Sequence, residues 1–322
     1  MFEHKSEIPS YFAEFDLAPF AAEVAALCRP ALAFEAAEQA GAALQLGGTP
    51  ALSASLVWPE HPSYRNGALL VEKFGGRGPG LVRSFAGPAP LHFVASVDLA
   101  AVTRAGALGD RLPAEGRLLF FWDPLAGCYL ETEETCRVIW DRSSEAPRCE
   151  PPPALQALVE VEYIPAVLPE TRMAPIPIWS MPDRFLMQDI GSQDLQDAIG
   201  DPDWEAEWDS LFDAIMDTSP ITLASGREVR PHRLGGWPIP EQDDPRYAAV
   251  AAARGAVERT GRMSDEEEKA ACAAEQHEWT LLLQIGLSDF GVFAEGTVYF
   301  VMRETDLRAR NFDRVHAIYQ QT

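Results

Sequence analysis

The feature that most constrains the fold is a pentapeptide, Leu-Gly-Gly-x-Pro, which occurs twice in the chain. The two copies lie at residues 46–50 and 234–238. An apolar segment ends 49 residues after the second glycine of each copy, at Val97 and at Ile285. An Ala-Glu-Gly tripeptide that opens another apolar run follows each segment. Matched elements in one order are typical of an internal duplication, so we expect two related halves.

The apolar runs predict an α+β fold that is rich in strands, mostly antiparallel, and built from two helix-plus-sheet repeats. Hydrophobic residues make up 47% of the 322 residues, which fits a folded globular chain. We expect 1–322 to form a single globular unit, with a first repeat at 1–150, a linker and connecting elements at 151–200, and a second repeat at 201–322.

Capping residues predict a helix at the start of each half. Asp16 is a candidate cap for a helix with Pro19 in its first turn, and Asp201 for a helix with Pro202 at its first position. The second helix has an amphipathic pattern, in which apolar residues recur at helical spacing. They are Trp204, Trp208, Leu211, Phe212 and Ile215.

Other segments receive local predictions. The glycine- and proline-rich stretch between residues 58 and 91 predicts a long surface loop with a short strand at 68–72. Residues 31–38 and 158–164 alternate in polarity and predict strands. Ser264 and Glu267 form a capping box that predicts another helix.

The net charge limits the classes of partner, and the cysteines indicate the redox environment. The net charge of −23 opposes binding to nucleic acid, whereas it favours either simple solvation or a basic protein partner. No apolar stretch is long enough to span a membrane, and the N-terminus lacks the pattern of a secretory signal. The five cysteines form no Cys-x-x-Cys pair, so we expect reduced thiols and a cytoplasmic location.

Polar residues near the second Leu-Gly-Gly turn are the best candidates for a ligand site. His232 and Arg233 directly precede this turn, and Gln284 lies inside an apolar run, where a buried amide needs a hydrogen-bond partner. Asp98 follows the equivalent run of the first half. These residues face a ligand or, alternatively, hold neighbouring loops in place. The Gly-Gly turns likewise present backbone N–H groups to a ligand or are tight turns that the duplication requires twice.

No motif in the sequence predicts catalysis. The chain has no G-x-S-x-G, no H-E-x-x-H and no phosphate-binding loop, since the glycine-rich run at 75–80 lacks the Lys-Ser/Thr ending. The histidines lack the spacing of metal ligands. We therefore predict no catalytic residue, no metal and no cofactor.

The stretch from Asp194 to Asp217 is dense in acidic residues. Asp203, Glu207 and Asp213 belong to the predicted amphipathic helix that it contains. Such a row is either a solvated helix face or a surface for a basic partner.

The motif series as a whole resembles the YwqG-like family, a bacterial family of unknown function. The resemblance implies an α+β fold with many antiparallel strands and an internal duplication, and it implies no catalytic residue. Three positions differ from the usual pattern, because Ser96 replaces a glutamine, Gly286 replaces an acidic residue, and Ser53 follows Leu52 where a proline is usual. The motifs that carry the resemblance are Leu46–Pro50, Trp58–Pro59, Pro90–Phe93, Leu112–Phe121, His232–Pro238, Leu281–Ile285 and Gly296–Phe300.

Two functional hypotheses follow from the sequence. The first is a non-enzymatic cytosolic protein that acts through protein–protein contact, in the manner of an immunity protein or an antitoxin; it rests on the acidity and on the absence of catalytic motifs. The alternative is an enzyme or a small-ligand binder with its site in the cleft between the two repeats, because pockets often form at such junctions.

Overall fold

Thirteen strands are present in the part of the chain that the structure, a computed structural model, describes: residues 1–38, 41–130, 133–143, 146–159, 164–216, 221–255 and 266–321. Short turns separate some of the strands, and long helical segments separate others. The strands are β1 (Arg29–Ala36), β2 (Leu44–Leu46), β3 (Glu60–His61), β4 (Ala89–Pro90), β5 (His92–Asp98), β6 (Arg117–Trp122), β7 (Cys136–Asp141), β8 (Thr171–Ser180), β9 (Ile221–Thr222), β10 (Glu228–Leu234), β11 (Trp279–Gly286), β12 (Thr297–Arg303) and β13 (His316–Gln320).

Eleven of these strands form one antiparallel sheet. Its order is β13-β12-β11-β10-β1-β8-β2-β5-β6-β7, with β9 attached to β10, while β3 and β4 pair with each other. The sheet is nearly closed. Side chains from its two ends meet across the interior, where the rings of Phe120 and Phe300 lie 5.0 Å apart and those of Trp122 and Tyr319 6.1 Å apart. The two ends of the sheet therefore share one core, and the predicted α+β fold is confirmed.

The two faces of the sheet bury different sets of side chains, because successive residues in a strand point to opposite faces. In β6, Leu118, Phe120 and Trp122 face the central core, whereas Leu119 and Phe121 pack outside it. The nine strand residues that the sequence predicts to be mostly buried are all at most 2% exposed, which confirms that prediction. They are Phe93, Val97, Leu118, Phe120, Leu281, Leu283, Ile285, Val298 and Phe300.

Twelve α-helices accompany the sheet in the described part of the chain. Their bounds are α1 (Ile8–Ala13), α2 (Ala21–Leu27), α3 (Gly67–Phe74), α4 (Pro79–Ala86), α5 (Leu99–Ala105), α6 (Pro153–Val159), α7 (Arg184–Ile190), α8 (Gln193–Gly200), α9 (Glu205–Met216), α10 (Pro245–Ala253), α11 (Glu266–Glu275) and α12 (Glu304–Arg308). Short 3-10 helices lie at Lys5–Glu7, Ala18–Phe20, Gly75–Arg77, Glu133–Thr135, Gln276–Glu278, Leu287–Phe290 and Phe312–Arg314.

Helices from the N-terminal end and from the middle of the chain pack together in a separate apolar cluster. Phe12 in α1 contacts Trp208 in α9 edge to face, with ring centroids 6.2 Å apart. Trp208 and Leu211 are fully buried, as the amphipathic pattern predicts. The helix begins at Glu205, and the carboxylate of Asp201 accepts a hydrogen bond from the Asp203 N–H before the helix begins.

Some local predictions are wrong. Asp16 caps no helix, because it has a left-handed φ of 59° and an N-cap residue needs an extended backbone. Residues 67–86 form α3, a 3-10 turn and α4 instead of a loop with a strand. Pro79 starts α4, where its missing N–H costs nothing, and Phe85 is buried.

The sequence also assigned a strand to 158–164, but its described beginning is the end of α6. Residues 160–163 and Ser264 of the predicted capping box lie outside the described residues. Residues 151–200, predicted as a linker with connecting elements, contain β8, which pairs with β1 in the middle of the sheet order.

The two Leu-Gly-Gly turns have the same local geometry. Both glycines of each copy have a positive φ, between 55° and 74°. The Gly47 N–H donates to Val94 O at 2.9 Å, and the Gly235 N–H donates to Leu282 O at 3.1 Å. The register shifts within β5 and within β11 occur at these same two carbonyl residues. Duplication of the complete helix-plus-sheet unit stays a prediction, which a superposition of 16–140 on 201–318 would test.

Replacing Phe120 by Ala tests the shared core. The ring is fully buried and contacts Phe300 from the other end of the sheet, so we expect the free energy of unfolding to fall by about 3–5 kcal/mol. Chemical denaturation measures this loss. Val57→Ala is the control, because Val57 is 83% exposed and should change stability by no more than about 0.5 kcal/mol. A similar small effect at Phe120 would contradict a shared core.

Candidate functional site

His232 is buried, and both of its ring nitrogens have partners. Nδ1 accepts a hydrogen bond from the Gly286 N–H at 3.2 Å, so the proton is on Nε2, which donates to Asp289 at 2.9 Å. Burial lowers the pKa of His232 despite the opposing effect of Asp289. The hydrogen bond from His232 lowers the pKa of Asp289. The pair is therefore a neutral imidazole on a carboxylate, with no nitrogen left to accept a substrate proton.

Arg233 and Gln284 support the turn that follows β10. Arg233 donates to Trp237 O at 2.7 Å, and the Gln284 Oε1 accepts the Ile239 N–H at 3.0 Å. In the first half, Gln45 occupies the place of Arg233 and donates to Gly47 O at 2.8 Å and to Thr49 O at 3.3 Å. The polar side chain that precedes each Leu-Gly-Gly turn thus closes that turn by hydrogen bonds. These contacts fit the second role considered for these residues, which is to hold neighbouring loops in place.

The structure does not bring Asp98 to the other predicted ligand residues. Its side chain is exposed and caps α5, accepting the Ala101 N–H at 2.8 Å. His232, Arg233 and Gln284 do lie together, because Arg233 pairs with Gln284 across β10 and β11. A ligand role for the four residues stays a prediction.

The acidic face of α9 is largely solvated. Asp203 and Asp213 are exposed, and Glu207 is half-buried. None of the three takes part in an ion pair with another described residue. The nearby Asp209 pairs with Arg184 at 2.5 Å.

A cationic cleft, which the sequence did not predict, lies at one end of the sheet. β11 begins at Trp279, β12 ends at Arg303 and β13 begins at His316, so antiparallel pairing brings these residues to the same end. α10 packs on this face of the sheet through Val250, and the chain beyond it adds Arg254. The cavity has a volume of about 420 Å³.

Charged side chains from both halves of the chain line this cleft. Arg65 and Glu134 come from the predicted first repeat. Arg254, Arg303, Arg314 and Asp306 come from the second. The cleft therefore occupies a junction between the halves, where four guanidinium groups converge in a chain of net charge −23.

Carboxylates hold two of these arginines in place. Glu275 contacts both Arg254 and Arg303, and Glu278 accepts from Arg303 at 2.6 Å. The Arg303 guanidinium also lies 5.2 Å from the centre of the Trp279 ring. These contacts limit the rotamers of Arg303 and keep its charge at the cavity wall.

The indole N–H of Trp279 has no hydrogen-bond partner among the described residues. Trp279 is 2% exposed and lines the cleft. An unpaired buried donor costs about 1–3 kcal/mol, so a site that contains one favours an acceptor there. His316 packs edge to face on the same ring, with centroids 5.1 Å apart.

Sequence reasoning missed the cleft because its residues are dispersed from position 65 to position 316. One signal was available: Arg303, Arg308, Arg310 and Arg314 lie within twelve residues of a strongly acidic chain. Only the tertiary structure adds Arg65 and Arg254.

A second polar cluster lies under the α3–α4 segment. Asp123 accepts hydrogen bonds from the hydroxyl groups of Tyr64, at 2.8 Å, and Ser84, at 2.5 Å. Its other oxygen accepts two backbone N–H groups. His61 Nε2 lies 3.6 Å from Asp123, and burial lowers the pKa of His92 to about 4. Because Ser84 donates to a carboxylate and not to a histidine, this cluster does not form an activated serine nucleophile.

Two features are absent from the described residues. These residues include no group of three or more histidine, cysteine, aspartate or glutamate side chains that could hold a metal ion. Among the helices of that same part of the chain, none has both the length and the apolar composition that a membrane span requires.

The sequence matches the family described as "Domain of unknown function (DUF1963)" over residues 45–320, and the chain belongs to this family. The matched region includes the whole lining of the cleft, the His232–Asp289 pair and the Asp123 cluster. No curated protein matches the chain.

The His232–Asp289 pair predicts a pH dependence of stability. The pKa of His232 is lowered in the folded state, so protonation favours unfolding, and stability falls as the pH drops below about 6.5. One such group contributes at most about 1.4 kcal/mol per pH unit. Denaturation between pH 7 and pH 5 should show a shallower loss for His232→Gln than for the wild type.

The control is His277→Gln, which makes the same substitution at an exposed histidine. His92 contributes to the slope in every variant, so the difference from the wild type is the quantity of interest. An equally steep loss in His232→Gln would show that this imidazole is not held neutral.

Proposed function

We propose that this protein binds a small anionic molecule in the cationic cleft between its two halves. The observation that carries the proposal is the convergence of four arginines on one cavity, whose wall also includes Trp279 with its unpaired N–H. The predicted alternative, a ligand site between the repeats, is thereby favoured over the protein-partner hypothesis.

The residue types suit an oxyanion. A guanidinium group presents a planar set of donors that matches a carboxylate or a phosphate, often through two parallel hydrogen bonds. Trp279 contributes an aromatic ring to the same wall. A volume of about 420 Å³ lies within the range of small-molecule sites.

The lining offers few types of nucleophile for covalent catalysis. The described lining residues include no serine, cysteine, threonine or lysine, which leaves Glu134, Asp306 and His316 as the nucleophilic residue types present. Glu134 and Asp306 are also present, so a ligand that carries a hydrogen-bond donor or a positive group beside its anion would fit best. This proposal keeps the non-enzymatic role that the sequence favoured.

A second candidate is a basic protein that binds the acidic face of α9. Asp203 and Asp213 support it, since both are exposed and lack ion-pair partners among the described residues. A role as an immunity protein or an antitoxin is the concrete form of this candidate. The finer assignment to the YwqG-like family is also a proposal, and it rests on the motif series.

Replacing Arg303 by Gln tests the cleft. The change keeps a polar, unbranched side chain, although a shorter one, and removes the charge, so we expect the affinity for inorganic phosphate or citrate to fall about tenfold to a hundredfold. Titration calorimetry at fixed ionic strength measures this. Arg104→Gln is the matched control, because Arg104 is exposed on α5 and far from the cleft lining. Equal affinities in both variants and the wild type would contradict the proposal.

Charge reversal on α9 tests the second candidate. The test uses a basic protein that binds this chain. The double variant Asp203→Lys, Asp213→Lys should slow the association of the two proteins more than it speeds their dissociation, because exposed charges steer the encounter. The wild-type rate should also fall with added salt. Surface plasmon resonance measures both rates, and Glu150→Lys, exposed on another segment, is the control. A rate that is insensitive to both changes would exclude this face.

A further inference from the structure

A group of arginines surrounds Trp237, the residue that follows the second Gly-Gly pair. The guanidinium carbon of Arg29 lies 3.3 Å from the centre of the Trp237 ring, and that of Arg246 lies 4.9 Å from it. Trp237 is 3% exposed and fixed by hydrogen bonds to Ser180 and to Leu27 O. The ring is therefore a rigid platform that positions two cations.

The carboxylates near these arginines do not balance them. The Nε and Nη2 groups of Arg246 donate to the carboxylate of Asp244. Arg111 forms an ion pair with Glu304 at 2.6 Å. Arg29 has no carboxylate within 4.0 Å among the described residues. With Arg308, which also pairs with Glu304, four guanidinium groups thus share two carboxylates, and Arg29 is the one that forms no ion pair with a described residue.

Two further facts indicate a missing acceptor. Arg246 is 1% exposed, yet its Nη1 has no hydrogen-bond partner in the described part of the chain. Burial, followed by the charges of Arg246 and Arg111, lowers the pKa of Arg29 to about 10, so Arg29 is still charged at neutral pH. A partly buried charge without a partner is costly, and an anion would remove that cost.

We propose that Arg29 and Arg246 form a second anion-binding site, which takes the phosphate or carboxylate group of a small molecule beside Trp237. Arg29 is half-buried, so the site is open to solvent on its side. The inference does not depend on the cleft. Arg246 lies near the start of α10 and Arg254 just after its end, which separates the two sites by about 12 Å along the helix.

The competing explanation is that Arg29 only covers the ring of Trp237. A covering role needs the flat guanidinium and no ligand, whereas an anion site needs the charge as well. Arg29→Gln removes the charge. Arg29→Lys keeps the charge and loses the paired donors, so it should weaken binding less than Arg29→Gln.

Titration calorimetry with inorganic phosphate at pH 7 and constant ionic strength tests the second site. We expect two sites in the wild type, one in Arg303→Gln and one in Arg29→Gln, with at least tenfold weaker binding at each altered site. Arg104→Gln should keep both. If Arg29→Gln binds phosphate like the wild type, the second site is refuted. If Arg303→Gln binds like the wild type and Arg29→Gln does not, the proposed function of the cleft is refuted and the second site is supported.

Thermal unfolding provides a second measurement, which is the rise in melting temperature that phosphate causes. A purely structural role of Arg29 would not change this rise. Phosphate should raise the melting temperature of the wild type, because it binds only the folded state, and Arg29→Gln should lose part of that rise. Without phosphate, the variant should be at least as stable as the wild type, since it removes an unpaired charge and leaves no carboxylate without a partner. Acetate and sulfate titrations separate carboxylate from tetrahedral anions. An undiminished rise with phosphate in Arg29→Gln would overturn the proposal.

Discussion

The structure depends on the closure of one sheet around one apolar interior. Contacts such as Phe120 with Phe300 join strands from opposite ends of the sheet. Closure fixes where strand ends from the two halves meet. The cationic cleft exists because the starts of β11 and β13 and the end of β12 lie at the same end of the sheet, beside Arg65 and Glu134.

Positive charge is concentrated in a few places of a strongly acidic protein. At physiological ionic strength, surface charges are screened beyond about 8 Å, so the net charge of −23 matters little inside a lined cavity. The arginines that line the cavity then determine the charge of the ligand that binds there. The overall field does not speed the arrival of an anion, so selectivity would come from contact after encounter.

Sequence patterns predicted the core strands β5, β6, β11 and β12 well because burial on one or both faces leaves a regular signal, whereas the strand predicted at 68–72 is part of α3. The same patterns predicted less well where the helices begin and end. Asp16 has the right chemistry for a cap, but its backbone is left-handed. The segment 67–86 was read as a loop because of its glycines, although its apolar residues recur at a spacing that also suits two short helices.

The candidate sites differ in how far sequence could reach them. Arg233 and Gln284, two of the predicted ligand residues, pair across β10 and β11, whereas His232 contacts Gly286 and Asp289. Asp98 and Asp289 occupy equivalent places, yet one caps a helix and the other binds a histidine. The cleft and the Trp237 arginines combine residues more than a hundred positions apart, and no local pattern records such proximity.

The sheet order interleaves the two halves of the chain. β1 lies between β10 and β8, and β8 lies between β1 and β2, so each central strand is flanked by strands from the other side of residue 150. Arg29 pairs with Ser180. At a synthesis rate of about 5–20 residues per second, the ribosome needs roughly 7–30 s to make the partner of β1. During translation, β1 therefore has both edges unpaired for that long, and the nascent N-terminal half depends on other protection against aggregation until β8 emerges.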